Sequence, residues 1–117
     1  MYKVIVLVSR KPGMSRADFQ RHYETVHVPL VKTLVPALVE YRRNFFDPVE
    51  VEIMPGAEAP DFDCITEMWF KDRAGFEALT EINNDPVKGM LLAEDALKFM
   101  DPAKTRLMPV DEFGGPI

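Results

Sequence analysis

The chain has 117 residues, 47% of them apolar and 28% charged, with a net charge of −5. That length suits one domain with a real but modest core, and a negative chain without a basic run argues against nucleic acid or an anionic membrane as a partner. The single cysteine, Cys64, leaves no internal disulfide; with no signal-peptide pattern and no apolar run of bilayer length, the expected setting is the cytoplasm.

Tyr2 to Ser9 is β-branched, short and closed by Lys11-Pro12-Gly13, and it predicts a first strand. Val4, Val6 and Val8 point to one face, Ile5 and Leu7 to the other, so this strand needs cover on both sides. Ser15 then supplies a helix N-cap, Asp18 makes an S-x-x-D capping box, and Met14 with Phe19 forms a hydrophobic staple. Phe19, Tyr23, Val26, Leu30 and Leu34 recur at three and four and predict the buried stripe of this helix. His27 lies one turn after Tyr23, on the flank of the stripe; His22 lies on the opposite flank and reads as a solvated or cap-side residue. Pro29 removes a helical hydrogen bond and predicts a kink or frayed turn near residues 25–28, and Pro36 ends the helix.

Leu38 to Phe46 predicts a second strand, with Tyr41, Arg43 and Phe45 on one face and Glu40, Arg42, Asn44 and Phe46 on the other. Residues 47–62 hold Pro48, Pro55, Gly56 and Pro60 and read as a loop, with 49–53 a candidate extension of the strand. Asp63 to Lys71 predicts a third strand that sets Ile65, Glu67 and Trp69 against Cys64, Thr66, Met68 and Phe70. Asp72 caps a second helix carrying Phe76, Leu79 and Ile82. Asp85-Pro86 restarts it, and Val87, Met90, Leu91, Glu94 and Leu97 continue it to about Phe99. Thr105 to Asp111 is a weaker fourth strand, followed by a loose tail at 114–117.

The order β-α-β-β-α-β is the split βαβ arrangement of the ferredoxin-like fold. It predicts one α+β domain over residues 1–113, a four-stranded antiparallel sheet with helices on one face. The helices shelter that face alone, whereas the first strand is apolar on both. A second copy of the sheet is the simplest cover, because two-fold pairing is the commonest oligomer symmetry, and an obligate interface of this kind buries roughly 2,000 Å² or more. A homodimer formed sheet to sheet is expected.

His27 is the side chain best placed for chemistry, since a neutral imidazole both gives and takes a proton near its ordinary pKa of about 6.5. The plainer reading is a satisfied interior histidine. Glu67, between Ile65 and Trp69 on one strand face, should be paired, with Arg42 or Arg43 as partner, or carry a raised pKa. Cys64 reads as an inert buried thiol. Two histidines five apart do not share a face of an α-helix, no H-x-x-x-H or C-x-x-C occurs, and no Gly-rich phosphate loop follows a strand. No metal or other cofactor is therefore expected.

Several pieces, in order, resemble the EthD-type members of the dimeric α+β barrel superfamily. They are the R-K-P-G-M-S turn (10–15), F-x-x-x-Y-x-x-x-H-x-P (Phe19, Tyr23, His27, Pro29), Y-x-x-N (Tyr41, Asn44), E-x-W-F (Glu67, Trp69, Phe70) and F-x-D (Phe99, Asp101). The resemblance implies a barrel closed across a dimer and a small pocket between sheet and helices in each protomer. It also implies a role in small-molecule metabolism of the ether-degrading, polyketide-tailoring or lactone-rearranging kind. Methylmuconolactone methylisomerases are similar too; their helical histidine falls on His27 and their strand tyrosine on Tyr41, but their strand cysteine falls on Met68, which puts that reaction in doubt.

The resulting expectation is a cofactor-independent enzyme, an isomerase, lyase or cofactor-free oxidoreductase, acting by proton transfer on a cyclic or polyketide-like carbonyl compound. His27 is the expected acid/base and Tyr41 the hydrogen-bond donor to the developing oxyanion. Tyr23, Arg43, Glu67, Met68 and Trp69 are candidate substrate contacts, although Tyr23 fits the core and Trp69 the core or dimer interface equally well. The alternative is a non-catalytic protein of the same fold that binds a small ligand.

Overall fold

The computed structural model describes residues 1–117, and its centre is the first strand. Strand β1 (Tyr2–Val8) pairs on one side with β3 (Cys64–Phe70) and on the other with β4 (Arg106–Val110); β2 (Leu38–Phe45) pairs with the far edge of β3. The sheet is antiparallel throughout, in the order β2-β3-β1-β4. Its register sets Val4, Val6 and Val8 opposite Met68, Thr66 and Cys64 on the face under the helices. On the other face Lys3, Ile5 and Leu7 stand opposite Trp69, Glu67 and Ile65. The four strands and their antiparallel pairing agree with the sequence reading. Residues 49–53 do not extend a strand: Asp47 caps a short 3-10 turn over Pro48–Glu50 and the chain then runs as a loop.

The first helical segment comprises α1 (Arg16–His22), a π-helical turn (Tyr23–His27) and α2 (Val28–Leu34). Ser15 caps it by accepting the Asp18 N–H at 3.1 Å, but the Asp18 carboxylate turns to Arg21 instead of closing a capping box. The kink expected at Pro29 takes the form of the π turn, in which the Val28 N–H bonds the Tyr23 carbonyl. A proline lacks the donor for the carbonyl four residues back and its ring strikes it; one extra residue in the preceding turn relieves both. The extra residue also rotates the remainder of the helix. Val26, expected in the buried stripe, is 43% exposed, and the stripe passes instead through Tyr23, His27, Val28, Val31 and Val35.

The second helical segment is two helices, α3 (Arg73–Asn83) and α4 (Lys88–Phe99). Asp72 caps α3 at the Gly75 N–H, and Asp85 holds the Val87 and Lys88 N–H groups at the start of α4. The residues that trace α4 in the sequence are not the ones it buries. Val87, Met90, Leu91 and Leu97 are exposed, and α4 buries Gly89, Leu92, Asp95 and Phe99. Gly89 sets that rotation: a Cβ there would lie 2.3 Å from the Asn83 carbonyl oxygen, so only glycine lets α4 pass this close to the end of α3.

Two apolar clusters fill the space between sheet and helices. One holds Val4, Val31, Val35, Met68, Phe70, Leu79 and Leu92; the other Val8, Phe19, Tyr23, Val28, Cys64 and Phe99. Phe19, 1% exposed, has the rings of Tyr23, Phe45 and Phe99 within 6.0 Å. Phe19→Ala should therefore cost about 3–5 kcal/mol in urea denaturation, whereas Val26→Ala should cost under about 0.5 kcal/mol. A Val26→Ala loss as large as that of Phe19→Ala would contradict the register that the π turn imposes.

Candidate active site

Asp95 is 5% exposed, and its carboxylate sits between two imidazoles. His27 Nδ1 lies 2.9 Å from Oδ2, and His22 Nε2 lies 2.9 Å from Oδ1. A carboxylate only accepts, so both ring nitrogens donate, and His27 is fixed as the Nδ1–H tautomer. Phe99, fully buried, stacks against His22 at 5.1 Å and packs at 4.8 Å from His27. Nothing in the protein bonds His27 Nε2, and no unpaired polar side-chain atom is fully buried, so this nitrogen opens into the adjoining space.

That space is a cavity of about 370 Å³ between the sheet and the helices, where the two apolar clusters meet. His27, Tyr23, Tyr41 and Met68 all line it. Across from His27, the Tyr23 hydroxyl lies 2.6 Å from Thr66 Oγ1, and the Tyr41 hydroxyl donates to that of Tyr23 at 3.5 Å. Larger depressions lie near residues 9–15 and beside Trp69. Their polar groups are spent on ion pairs such as Arg10–Asp63 and Lys3–Glu67.

Burial sets the protonation states. It lowers the His27 pKa from its ordinary 6.5, with the Asp95 hydrogen bond pulling partly the other way, so the ring is neutral at pH 7 and Nε2 carries a free lone pair. Burial pushes the Tyr41 phenol up to about 12 and Tyr23 well above its usual range, so both remain intact hydroxyls. Burial also raises the Cys64 thiol to about 11, which leaves it an unreactive neighbour of Thr66.

The other candidate contacts lie elsewhere. Glu67 and Trp69 are on the opposite face of the sheet, away from the cavity. Glu67 is indeed paired, but with Lys3 at 2.9 Å and Asn44 at 3.1 Å, not with Arg42 or Arg43; the Lys3 ammonium holds its carboxyl below the usual range. Lys3 and Arg42 also cover the Trp69 ring, at 4.5 and 5.4 Å. Arg43 does not line the cavity. Its guanidinium grips Glu24 through two bonds of 2.7 and 2.8 Å and rests 4.7 Å from the Tyr41 ring, which it braces.

Asp95 and the role of His22 escaped the sequence reading. The signal was present in Leu92, Asp95 and Phe99, which recur at three and four and place a carboxylate on the stripe that ends at Phe99. His22 is not simply solvated: two histidines five apart reach one carboxylate because the residues from 23 to 27 form a π turn, which α-helical spacing cannot anticipate. No group of three or more His, Cys, Asp or Glu side chains is arranged to hold a metal ion, and no helix is long and apolar enough to cross a membrane.

The four-stranded antiparallel sheet with helices on one face is a ferredoxin-like α+β fold. The EthD domain family matches residues 11–103, and the chain belongs to that family. Among solved structures, an ethyl tert-butyl ether d (EthD) family protein from Bacillus halodurans is 24% identical, with a TM-score of 0.62 over 97% of this chain and 100% of that one. A protein from Arabidopsis thaliana is 17% identical, with a TM-score of 0.66 over 100% of both chains. A dimeric protein of unknown function and ferredoxin-like fold from Bacteroides fragilis is 7% identical, with a TM-score of 0.58 over 95% of each. No curated protein matches the sequence.

The Asp95 contact predicts the titration of His27. A ring-proton NMR titration should place its pKa below 6.5. Asp95→Asn should lower it further, because the imidazolium loses its anionic partner while burial remains. An upward shift in that variant would contradict the assignment.

Proposed function

We propose that the protein is a cofactor-independent enzyme that moves a proton on a small cyclic or polyketide-like carbonyl compound. The observation that carries this reading is the buried Asp95 carboxylate, which holds His27 with Nδ1 protonated and Nε2 open to the cavity. In this role Nε2 removes a proton from the carbon beside the carbonyl and returns it at another position. Asp95 keeps the ring oriented and stabilises the imidazolium formed in between. Tyr41 supplies the hydrogen bond to the oxygen on which charge builds; its long contact with Tyr23 leaves its proton free to turn to a ligand. Isomerisation, dehydration and cofactor-free oxygenation all begin with this proton removal. A positioned base of this kind contributes about 10²–10⁴ in rate, enough for an already acidic C–H bond.

The test is exchange of the carbon-bound proton in D₂O, followed by NMR across a panel of cyclic 1,3-diketones and aryl ketones. Wild-type protein should accelerate exchange, with a rate that rises with pH through the depressed His27 pKa and is flat above it, since the neutral ring is the base. His27→Gln should lose about 10²–10⁴ of the rate and Tyr41→Phe about 10². An unchanged rate in His27→Gln would sink the proposal, and ligands that bind but never exchange would make the protein a carrier.

The same reading includes a homodimer formed through the outer face of the sheet. Ile5, Leu7, Ile65 and Trp69 lie there with no helix above them. The protomer is flat, 43 × 41 × 22 Å, and its radius of gyration of 15.1 Å exceeds the roughly 13 Å of a compact chain this long. The Bacteroides fragilis neighbour is described as dimeric. Sedimentation equilibrium should give twice the chain mass of 13.4 kDa; a stable species of single mass would contradict the pairing.

A further inference from the structure

The cavity has an unusual charge inventory for a site that handles carbonyl chemistry. Of its 18 lining residues none is lysine, arginine, aspartate or glutamate. Its polar atoms come from His27, Tyr23, Tyr41, Thr66, Asn83 and Thr105, and the rest of the wall is aliphatic or methionine. Arg43, which rests on the Tyr41 ring, lies outside the lining and is bound to Glu24. Behind the wall the Asp95 carboxylate backs His27. An entering anion would lose its hydration, find no cation, and approach a buried negative group.

We propose that the ligand of this cavity is an uncharged, largely apolar molecule of one or two rings carrying a carbonyl or enol oxygen, and that carboxylates and phosphates are excluded. The volume of about 370 Å³ is at the small end of the roughly 300–1,000 Å³ of ligand pockets, which sets the ring count. The raised phenol pKa values of Tyr41 and Tyr23 on the same wall are a second sign that this environment disfavours negative charge. The proposal rests on the proton-transfer reading for one point alone, the orientation of the oxygen toward Tyr41. In that reading a neutral substrate adds no net charge to the site: when its C–H bond gives the proton to His27 Nε2, the enolate and the imidazolium form a neutral pair beside Asp95. A substrate that already carried a carboxylate would add a further buried negative charge with no cation in the lining to meet it.

The experiment compares methyl salicylate and 2-hydroxyacetophenone with salicylate, an anion of nearly the same shape, at pH 7.5. Affinity is read by calorimetry and location by the His27 ring resonance. The neutral compounds should shift that resonance saturably, and salicylate should bind at least about tenfold more weakly. Leu107 lines the mouth and is 45% exposed, so it tolerates a polar replacement. Leu107→Lys should narrow the gap, and Leu107→Gln, equally polar but neutral, should not. Salicylate binding beside His27 as tightly as its methyl ester would overturn the proposal. An absence of proton transfer, with the neutral preference intact, would remove the catalytic reading and leave this one standing.

Discussion

A buried carboxylate shared by two imidazoles organises this protein. Taking a carboxylate out of water is costly unless hydrogen bonds and opposite charge replace the hydration shell. Asp95 receives one N–H from each side, His22 from the end of α1 and His27 from the end of the π turn. The arrangement joins the first helical segment to α4 across the top of Phe99, which both rings contact. Neither helix can rotate without breaking it. The orientation of His27 toward the cavity is a consequence of how the helices are held together.

The π turn makes that contact possible. Pro29 is incompatible with a regular helix over the preceding turn, and the chain answers by widening it. Widening brings His22 and His27 to the same side and moves the buried stripe from Val26 to Val28. A residue that reads as a helix defect is the reason two histidines five apart serve one carboxylate. Gly89 plays the matching part on the other segment, since its missing side chain sets the rotation that turns Asp95 inward.

These two irregularities mark the boundary of what was legible in the sequence. Strands announced themselves through β-branched runs with clear alternation, and the inward residues of β1 and β3 obey a period of two that nothing disturbs. Ser15, Asp72 and Asp85 act as caps because capping is local chemistry. The helix faces were less legible. Leu91 and Leu92 are adjacent, so α4 offers two apolar stripes, and a close backbone approach at Gly89, not hydrophobicity, chooses between them. His27, Tyr41, Tyr23 and Met68 were found from the residues and the family likeness and do share one cavity. Glu67 and Trp69 were drawn in by their place in a motif, yet strand alternation puts them on the far face with Lys3. Asp95 shares a stripe with Leu92 and Phe99, but the choice of that stripe is made at Gly89 and its two histidine partners meet only through the π turn.

All the chemistry assigned to the cavity requires that Asp95 fix the proton on His27 Nδ1 and leave Nε2 as a base facing the open space. A long-range ¹H–¹⁵N correlation spectrum of the imidazole nitrogens at pH 7.5 reads this tautomer without a substrate. It should show a neutral His27 with a protonated Nδ1 and an Nε2 shift typical of an unprotonated ring nitrogen. A His27 carrying its proton on Nε2, or on both nitrogens at that pH, would contradict the assignment.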